Sequence, residues 1–363
     1  MKDKLFHHVG SLLKLGYRFV MWVVCMYKNF STDKNLKDIE PKYKKEIRSY
    51  WRKYVKNINL REFRWYQSKG ASNNVRLITD SIYHCRIEPY FNDITTMNAF
   101  SNKCYFNLFF QGFLVPDTIA KKINGYYMDD NFNLLEFEDV VALCKSESEI
   151  VIKPAIDSGG GRNITFYQIK KGGDSKNLRK ILNNYKSDFV IQRKIKQHEE
   201  LNKINSSSVN TVRVLSFLFH GKVQILSFFL RVGRIGATVD NISSGGISIS
   251  IDKFGHFVSS GYDNFGNEYL EHPSGYVFEG KSMPAFDKII NCVKQLHPRF
   301  PKFGLIGWDI AVNEECEPII VEFNLIDTCI QASQLANGPF FQDFTDEVLD
   351  EVFHRNRKRK GSR

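Results

Sequence analysis

The chain has 363 residues, 42% of them hydrophobic and 14% aromatic, with 25% charged and a formal net charge of +11. That composition can bury a real core and excludes a disordered or membrane-embedded chain, and the length suggests two or three domains. The charge is uneven: residues 1–85 carry 18 Lys/Arg against 7 Asp/Glu and the tail 355–363 carries 6 basic residues and no acid, whereas 86–354 holds 27 basic and 33 acidic residues. A partner attracted by positive charge should therefore meet the two ends.

The first predicted element is Leu12–Tyr27 (LLKLGYRFVMWVVCMY), interrupted by Lys14 and Arg18. Its unbroken apolar run, Phe19–Tyr27, is shorter than the roughly 20 residues a membrane span needs. No small-residue cleavage site follows, which argues against a signal peptide. Two readings stay open for 12–27: a helix lying on an anionic membrane surface, or a helix packed on the body. The first makes the protein peripheral at the inner membrane face, and both keep it cytoplasmic. Residues 36–66 read as basic helices rich in aromatics. A buried aromatic stripe under a solvated face explains them better than nucleic-acid binding, because no nucleic-acid module accompanies them. The seven cysteines (25, 85, 104, 144, 292, 316, 329) form no CxxC pair and read as reduced thiols.

Farther along, 93–112 suggests a helix and 117–150 strands with a short helix. Strand patterns follow at 150–154, 165–169, 190–194, 211–219, 223–232 and 247–251, with His220-Gly221 as a hairpin turn. Helices are expected at 176–185, 283–296 and 341–354, and two last strands at 305–312 and 319–324. Strands joined by hairpins and mixed with helices indicate an α+β fold rather than a doubly wound sheet. The expected organisation is a basic helical region 1–85, a first part 86–190, a second 191–345, and a helix end with basic tail 346–363.

Chemistry concentrates in the last hairpin. With Glu314–Glu317 as its loop, Asp309 falls opposite Glu322, and Asn324 shares the face of Glu322. Facing carboxylates repel, and a hard cation such as Mg²⁺ would relieve them while gathering phosphates. Upstream, Lys153 ends an apolar strand and runs into Asp157-Ser-Gly-Gly-Gly161. That pattern suits phosphate binding, although a glycine-rich turn explains it equally well. It is not a Walker A loop. Arg213 and Arg231 lie in apolar strands and need anionic partners. Asn241 and Gly245-Gly246 form either a tight turn or an anion-binding nest.

In this order the pieces resemble the ATP-grasp superfamily over residues 45–345, most of all its sugar-transfer-associated group from polysaccharide biosynthesis. The resemblance implies a nucleotide held between two mostly antiparallel sheets behind a basic helical extension. Lys103, with Pro116 downstream, and Lys153 match the two nucleotide lysines of D-alanine–D-alanine ligases. Ser158, Gly159, Gly160 and Gly161 match the loop that covers the phosphates. Gln192, Lys194 and Ile195 (QRKI) match the adenine strand, and Glu199 or Glu200 the ribose ligand. SSSVNTVR and the stretch from Asn241 match substrate-side elements. Asp309, Glu322 and Asn324 match the Mg²⁺ ligands, a set that Mn²⁺ could also use. One departure stands out. Those ligases carry an arginine two residues before the metal aspartate, where this chain has Gly307, so Arg213 or Arg231 must supply the charge on the transferred phosphoryl. The implied reaction is ATP-dependent ligation of a small-molecule carboxylate, such as a sugar acid or amino acid, to an amine through an acylphosphate. The rivals are a kinase on the same scaffold and a non-catalytic nucleotide-binding assembly protein.

Overall fold

Alternating apolar residues in two groups of strands build two antiparallel sheets in the computed structural model, which describes residues 12–25, 36, 38–71, 73–156, 161–169, 175–263, 267–326, 328 and 330–360. The first sheet has six strands in the order β3 (Leu134–Leu135), β2 (Tyr126–Met128), β1 (Thr118–Ile123), β6 (Phe189–Arg193), β4 (Glu149–Pro154) and β5 (Thr165–Gln168). Ile150 and Ile152 of β4 pack with Val140, Leu178 and Leu182 of the helices Phe137–Lys145 and Lys176–Asn184. Period-two alternation turns Val151 and Lys153 to the opposite face.

The second sheet has seven strands: β11 (Glu268–Tyr269), β10 (Phe257–Tyr262), β9 (Ile247–Ile251), β8 (Lys222–Val232), β7 (Thr211–Phe219), β12 (Leu305–Val312) and β13 (Pro318–Asn324). A two-residue loop joins β7 to β8, with His220 and Gly221 both at positive φ (48° and 75°), as the tightest hairpins require. Val212 and Val214 share a core with Ile289, Val293 and Leu296 of the helix Phe286–Leu296. The other face of the central strands is divided. At one end Leu215, Phe217, Phe219 and Leu305 lie under the N-terminal and C-terminal helices, packing with Trp51, Tyr83, Phe341 and Val348. At the other end Thr211, Arg213 and Asp309 are left to face the first sheet.

The aromatics of 36–66 are spent on that core: Trp51 is 0% exposed, Phe63 1% and Tyr66 2%. Asn92 pins the two last strands together. Its Nδ2 donates to the carbonyls of Leu305 (2.7 Å) and Leu325 (2.6 Å), while its Oδ1 accepts from Leu305 N. Residues 12–25 form a helix that packs on the body through one side only. Among the described residues, no helix is long and apolar enough to cross a membrane.

The expected helix over 93–112 is instead three short turns, Met97–Phe100, Lys103–Tyr105 and Phe106–Phe109. Asn102 breaks it: its backbone is extended and its side chain accepts from Cys104 N, competing with the helical ladder. The break has a use, because Lys103 N then donates to Ala155 O just beyond β4, which brings Lys103 beside Lys153. The strands β10 and β11 complete the second sheet in a stretch for which the sequence suggested no element.

Candidate active site between the sheets

The last hairpin has the register inferred from sequence, Asp309↔Glu322 and Gly307↔Asn324. The loop, however, is one residue longer than expected, since Val312 pairs with Pro318, and a bulge between Asp309 and Ile310 restores the pairing. On its other side Asp309 faces Arg213 of β7. The row across the sheet therefore runs Phe229, Arg213, Asp309, Glu322.

Each carboxylate in this row has its own cation. Asp309 Oδ1 accepts from Arg213 Nε at 2.5 Å, and its Oδ2 from Arg213 Nη2 at 3.1 Å and Asn324 Nδ2 at 3.3 Å, with Arg231 Nη2 at 3.1 Å. Lys103 Nζ meets Glu322 Oε1 at 2.7 Å. Burial alone would raise the Asp309 carboxyl, but Arg213, Arg231 and Asn324 outweigh it and hold the group below the ordinary carboxylate range. Asp240, only slightly exposed, is tied to Thr211 Oγ1 (2.5 Å) and Thr211 N (3.0 Å), with Arg231 at 3.6 Å; here desolvation outweighs Arg231 and Thr211, and the carboxyl lies above its usual range.

Facing this floor, the cleft side of the first sheet presents Val151, Lys153, Phe166, Arg193 and Lys194. Ile195, just past β6, lines the same cleft. Lys194 pairs with Glu149 at 3.0 Å and Arg193 with Glu147 at 2.8 Å. Lys153 differs. Among the described residues it has no ion-pair or hydrogen-bond partner, and burial together with the Lys103 cation pushes its ammonium down to about 8. Gly161 closes one edge. It has φ +76°, and a Cβ there would lie 2.9 Å from Val239 Cγ1 of the segment after β8. Gly161→Ala should therefore cost about 1–2 kcal/mol, read as a lower urea midpoint with unchanged slope.

The structure thus brings together Lys103, Lys153, Gly161, Lys194, Ile195, Arg213, Arg231, Asn241, Asp309, Glu322 and Asn324. It does not bring Gln192 to the cleft. Paired with Val151, that side chain shares the face of Val151 and Lys153, but it is 4% exposed and reaches across to Pro116 O and Thr118 Oγ1 on the neighbouring strand, so it does not line the cleft. Glu199 and Glu200 also lie off the cleft lining, since they start the helix Glu199–Ile204, where acidic residues suit the helix N-terminus and Glu200 pairs with Lys203. Ser158, Gly159 and Gly160 lie outside the described residues. In SSSVNTVR, Ser208 and Asn210 form a buried network with Gln197 and Asn205 that shapes the approach to β7. Sequence reasoning missed Thr211, Thr238 and Asp240, all on the cleft. Thr211 was detectable, being two residues before Arg213 on the same strand face. Asp240 was not, because its contact with Thr211 spans 29 residues.

A divalent cation fits part of this donor set. Among the described residues there is no group of three His, Cys, Asp or Glu side chains able to hold one. Glu322 keeps a second carboxylate oxygen. Asn324, whose Nδ2 donates to Gly307 O and Asp309, keeps its Oδ1. Mg²⁺ commonly takes only one or two carboxylates and completes its shell with water and phosphate, so Glu322 and Asn324, with Asp309 beside them, would be enough protein ligands to hold one.

A family model described as sugar-transfer associated ATP-grasp matches residues 84–348. No curated protein matches the chain. Among solved structures it is similar to the ADP complex of PurK, N5-carboxyaminoimidazole ribonucleotide synthetase (11% identity, 62% of this chain and 44% of that one, TM-score 0.38). It is similar also to the ATP-grasp ligase PsnB with minimal precursor, Mg and ADP (13%, 72% and 62%, 0.41). A third is the D-alanine–D-alanine ligase of Bacillus anthracis (15%, 72% and 69%, 0.39). The chain spans less than two thirds of the length of the first two.

Proposed function

This chain belongs to the sugar-transfer associated ATP-grasp family, and from that premise we propose that it joins a carboxylate to an amine at the expense of ATP, on a sugar acid or amino acid in polysaccharide synthesis. The observation that carries the reading is the cleft's charge: Lys103, Lys153, Arg193, Lys194, Arg213 and Arg231 converge there against Asp240, Asp309 and Glu322. Arg193 and Lys194 are also paired, with Glu147 and Glu149, so Lys153 is the cleft cation whose charge no described carboxylate pairs, and a phosphate of ATP suits it.

In this reading the γ-phosphate of ATP lies over the second sheet, with Lys103 and Lys153 on the phosphate oxygens. Arg213 and Arg231, locked by Asp309, face the transferred group. A substrate carboxylate oxygen bonds to the γ-phosphorus as the bond to ADP breaks. The amine nitrogen then bonds to the acyl carbon, phosphate leaves, and the amine loses a proton. Such transfer rests on positioning and charge neutralisation rather than on a protein nucleophile. Mg²⁺ held by Glu322 and Asn324 would supply further neutralisation of phosphate charge.

The test is ADP release across a panel of sugar acids and amino acids paired with amines, with Glu322→Gln as control. Release that needs both partners, and falls at least ~100-fold in the variant, supports a ligase. Phosphate retained on a product without an amine would make it a kinase. Neither ADP release nor ATP binding would overturn the proposal.

A further inference from the structure

The helix 12–25 sits on the body the wrong way round for a soluble protein. Its inward side carries Lys14, Tyr17, Arg18, Met21 and Cys25, spaced one helical turn apart. Tyr17 OH donates to Glu88 Oε2 at 2.7 Å, and Cys85 Sγ to Arg18 O. The outward side is apolar: Leu12, Leu15, Phe19, Val20, Trp22 and Val24 are between 46% and 65% exposed. The Phe19 and Trp22 rings stack there, with centroids 6.3 Å apart. An apolar stripe normally faces the core, and contiguous exposed apolar surface marks a contact with something apolar.

Charge identifies what that is. Residues 1–85 hold 18 basic and 7 acidic side chains. A groove of about 680 Å³ runs between this helix and the body, with Leu15, Phe19, Trp22 and Ile82 along it and Arg18 and Arg86 beside them. Arg18 Nε is buried and has no hydrogen-bond partner among the described residues. Burial and the neighbouring Arg86 push the Arg18 guanidinium down, so an anion placed between the two would relieve both.

We propose that the helix 12–25 docks the protein on an anionic phospholipid surface, its apolar side in the bilayer interface and Arg18 and Arg86 on a headgroup phosphate at the mouth of the groove. Apolar insertion and basic attraction act together there, which is the pair of signals stable interfacial binding requires. The proposal is independent of the ligase reading.

The experiment is flotation of the full chain with vesicles of phosphatidylcholine alone or mixed with phosphatidylglycerol. Binding should be at least ~10-fold tighter to the anionic vesicles and weaken with salt. Phe19→Ser combined with Trp22→Ser should lower it at least ~10-fold on both vesicles, with an unchanged urea midpoint because both side chains are exposed. Arg86→Gln should reduce binding to the anionic vesicles alone. Equal binding to both vesicles, or anionic binding untouched by the double variant, overturns the proposal. So does a dimer in lipid-free solution that the double variant dissolves, since a second copy would then be the occupant.

Discussion

Lys153→Met is expected to lower nucleotide affinity by at least ~100-fold while raising stability by roughly 1–3 kcal/mol at neutral pH. The two effects share one cause. The Lys153 ammonium is shielded from water, lies near Lys103 and has no partner among the described residues. Holding it there without an anion is costly, and methionine removes that cost with nearly the same volume. A phosphate would remove it too, which is where the binding energy arises. Stability lost to keep a charge ready for a ligand is a common trade at functional sites. The pH dependence has a definite sign. An unfolded lysine titrates near 10.5 and this one near 8. Between those values the unfolded chain holds the extra proton, so wild-type stability relative to the variant climbs with pH. Below about 8 the penalty is fully present. Nucleotide affinity moves the other way and weakens as pH rises past 8, because a neutral amine attracts phosphate less. Urea unfolding and calorimetric titration with ATP across this range check both. A variant that is less stable and binds ATP as before would refute the account.

Asp309→Asn should be the most destabilising exchange in the cleft, about 3–5 kcal/mol, because it leaves two buried guanidinium groups without their shared counter-charge. Arg213→Met should cost less, since Arg231 remains beside Asp309 at 3.1 Å. Glu322→Gln should cost less, about 1–3 kcal/mol: its side chain is 28% exposed and glutamine keeps an oxygen for Lys103, but Lys103 is itself buried and loses its counter-charge. The pH window for Asp309 follows from its lowered value. Its contribution is full at neutral pH and is lost only as pH falls through a folded value below the ordinary 3.8. Wild type and Asp309→Asn should therefore differ in urea midpoint throughout the neutral range and converge only in strong acid. Equal midpoints at neutral pH would mean that the Arg213–Asp309–Arg231 cluster does not hold the floor of the cleft.

Much of the fold was legible where apolar, β-branched runs were long. The strands β4, β6, β7, β8, β12 and β13 fall within one or two residues of their expected limits, because each is a long apolar run, largely buried between helices and the neighbouring strands. The pairing of Asp309 with Glu322 was inferred through two offsetting irregularities: a longer loop and a bulge that reverses its effect. Hairpin arithmetic is blind to bulges, which depend on local twist rather than on residue type. Asp309 was expected to meet Glu322 across a metal. The structure instead gives it arginines from β7 and β8, because strand order is a long-range property no local pattern encodes. Lys121 shows the same limit. No sequence pattern singled it out, yet it is 1% exposed, donates to the carbonyls of Cys104 and Asp130 at 3.0 Å, and lies over the Phe132 ring. The readings for the N-terminal segment were posed as alternatives, and one helix combines packing on the body with an apolar side left outside.

Gly307 has a meaning that its place in the chain hides. A Cβ on it would lie 3.5 Å from Arg213 Cδ and 3.6 Å from Arg213 Nη1, so the neighbouring strand's guanidinium occupies the space above this glycine. Strands stand about 4.8 Å apart, and residues two apart on one strand are separated by about 6.7 Å, both within an arginine's reach. A cationic head can thus arrive at one spot from either of two backbones. Under the proposed function, Arg213 would bring from the neighbouring strand the positive charge that Gly307 itself lacks.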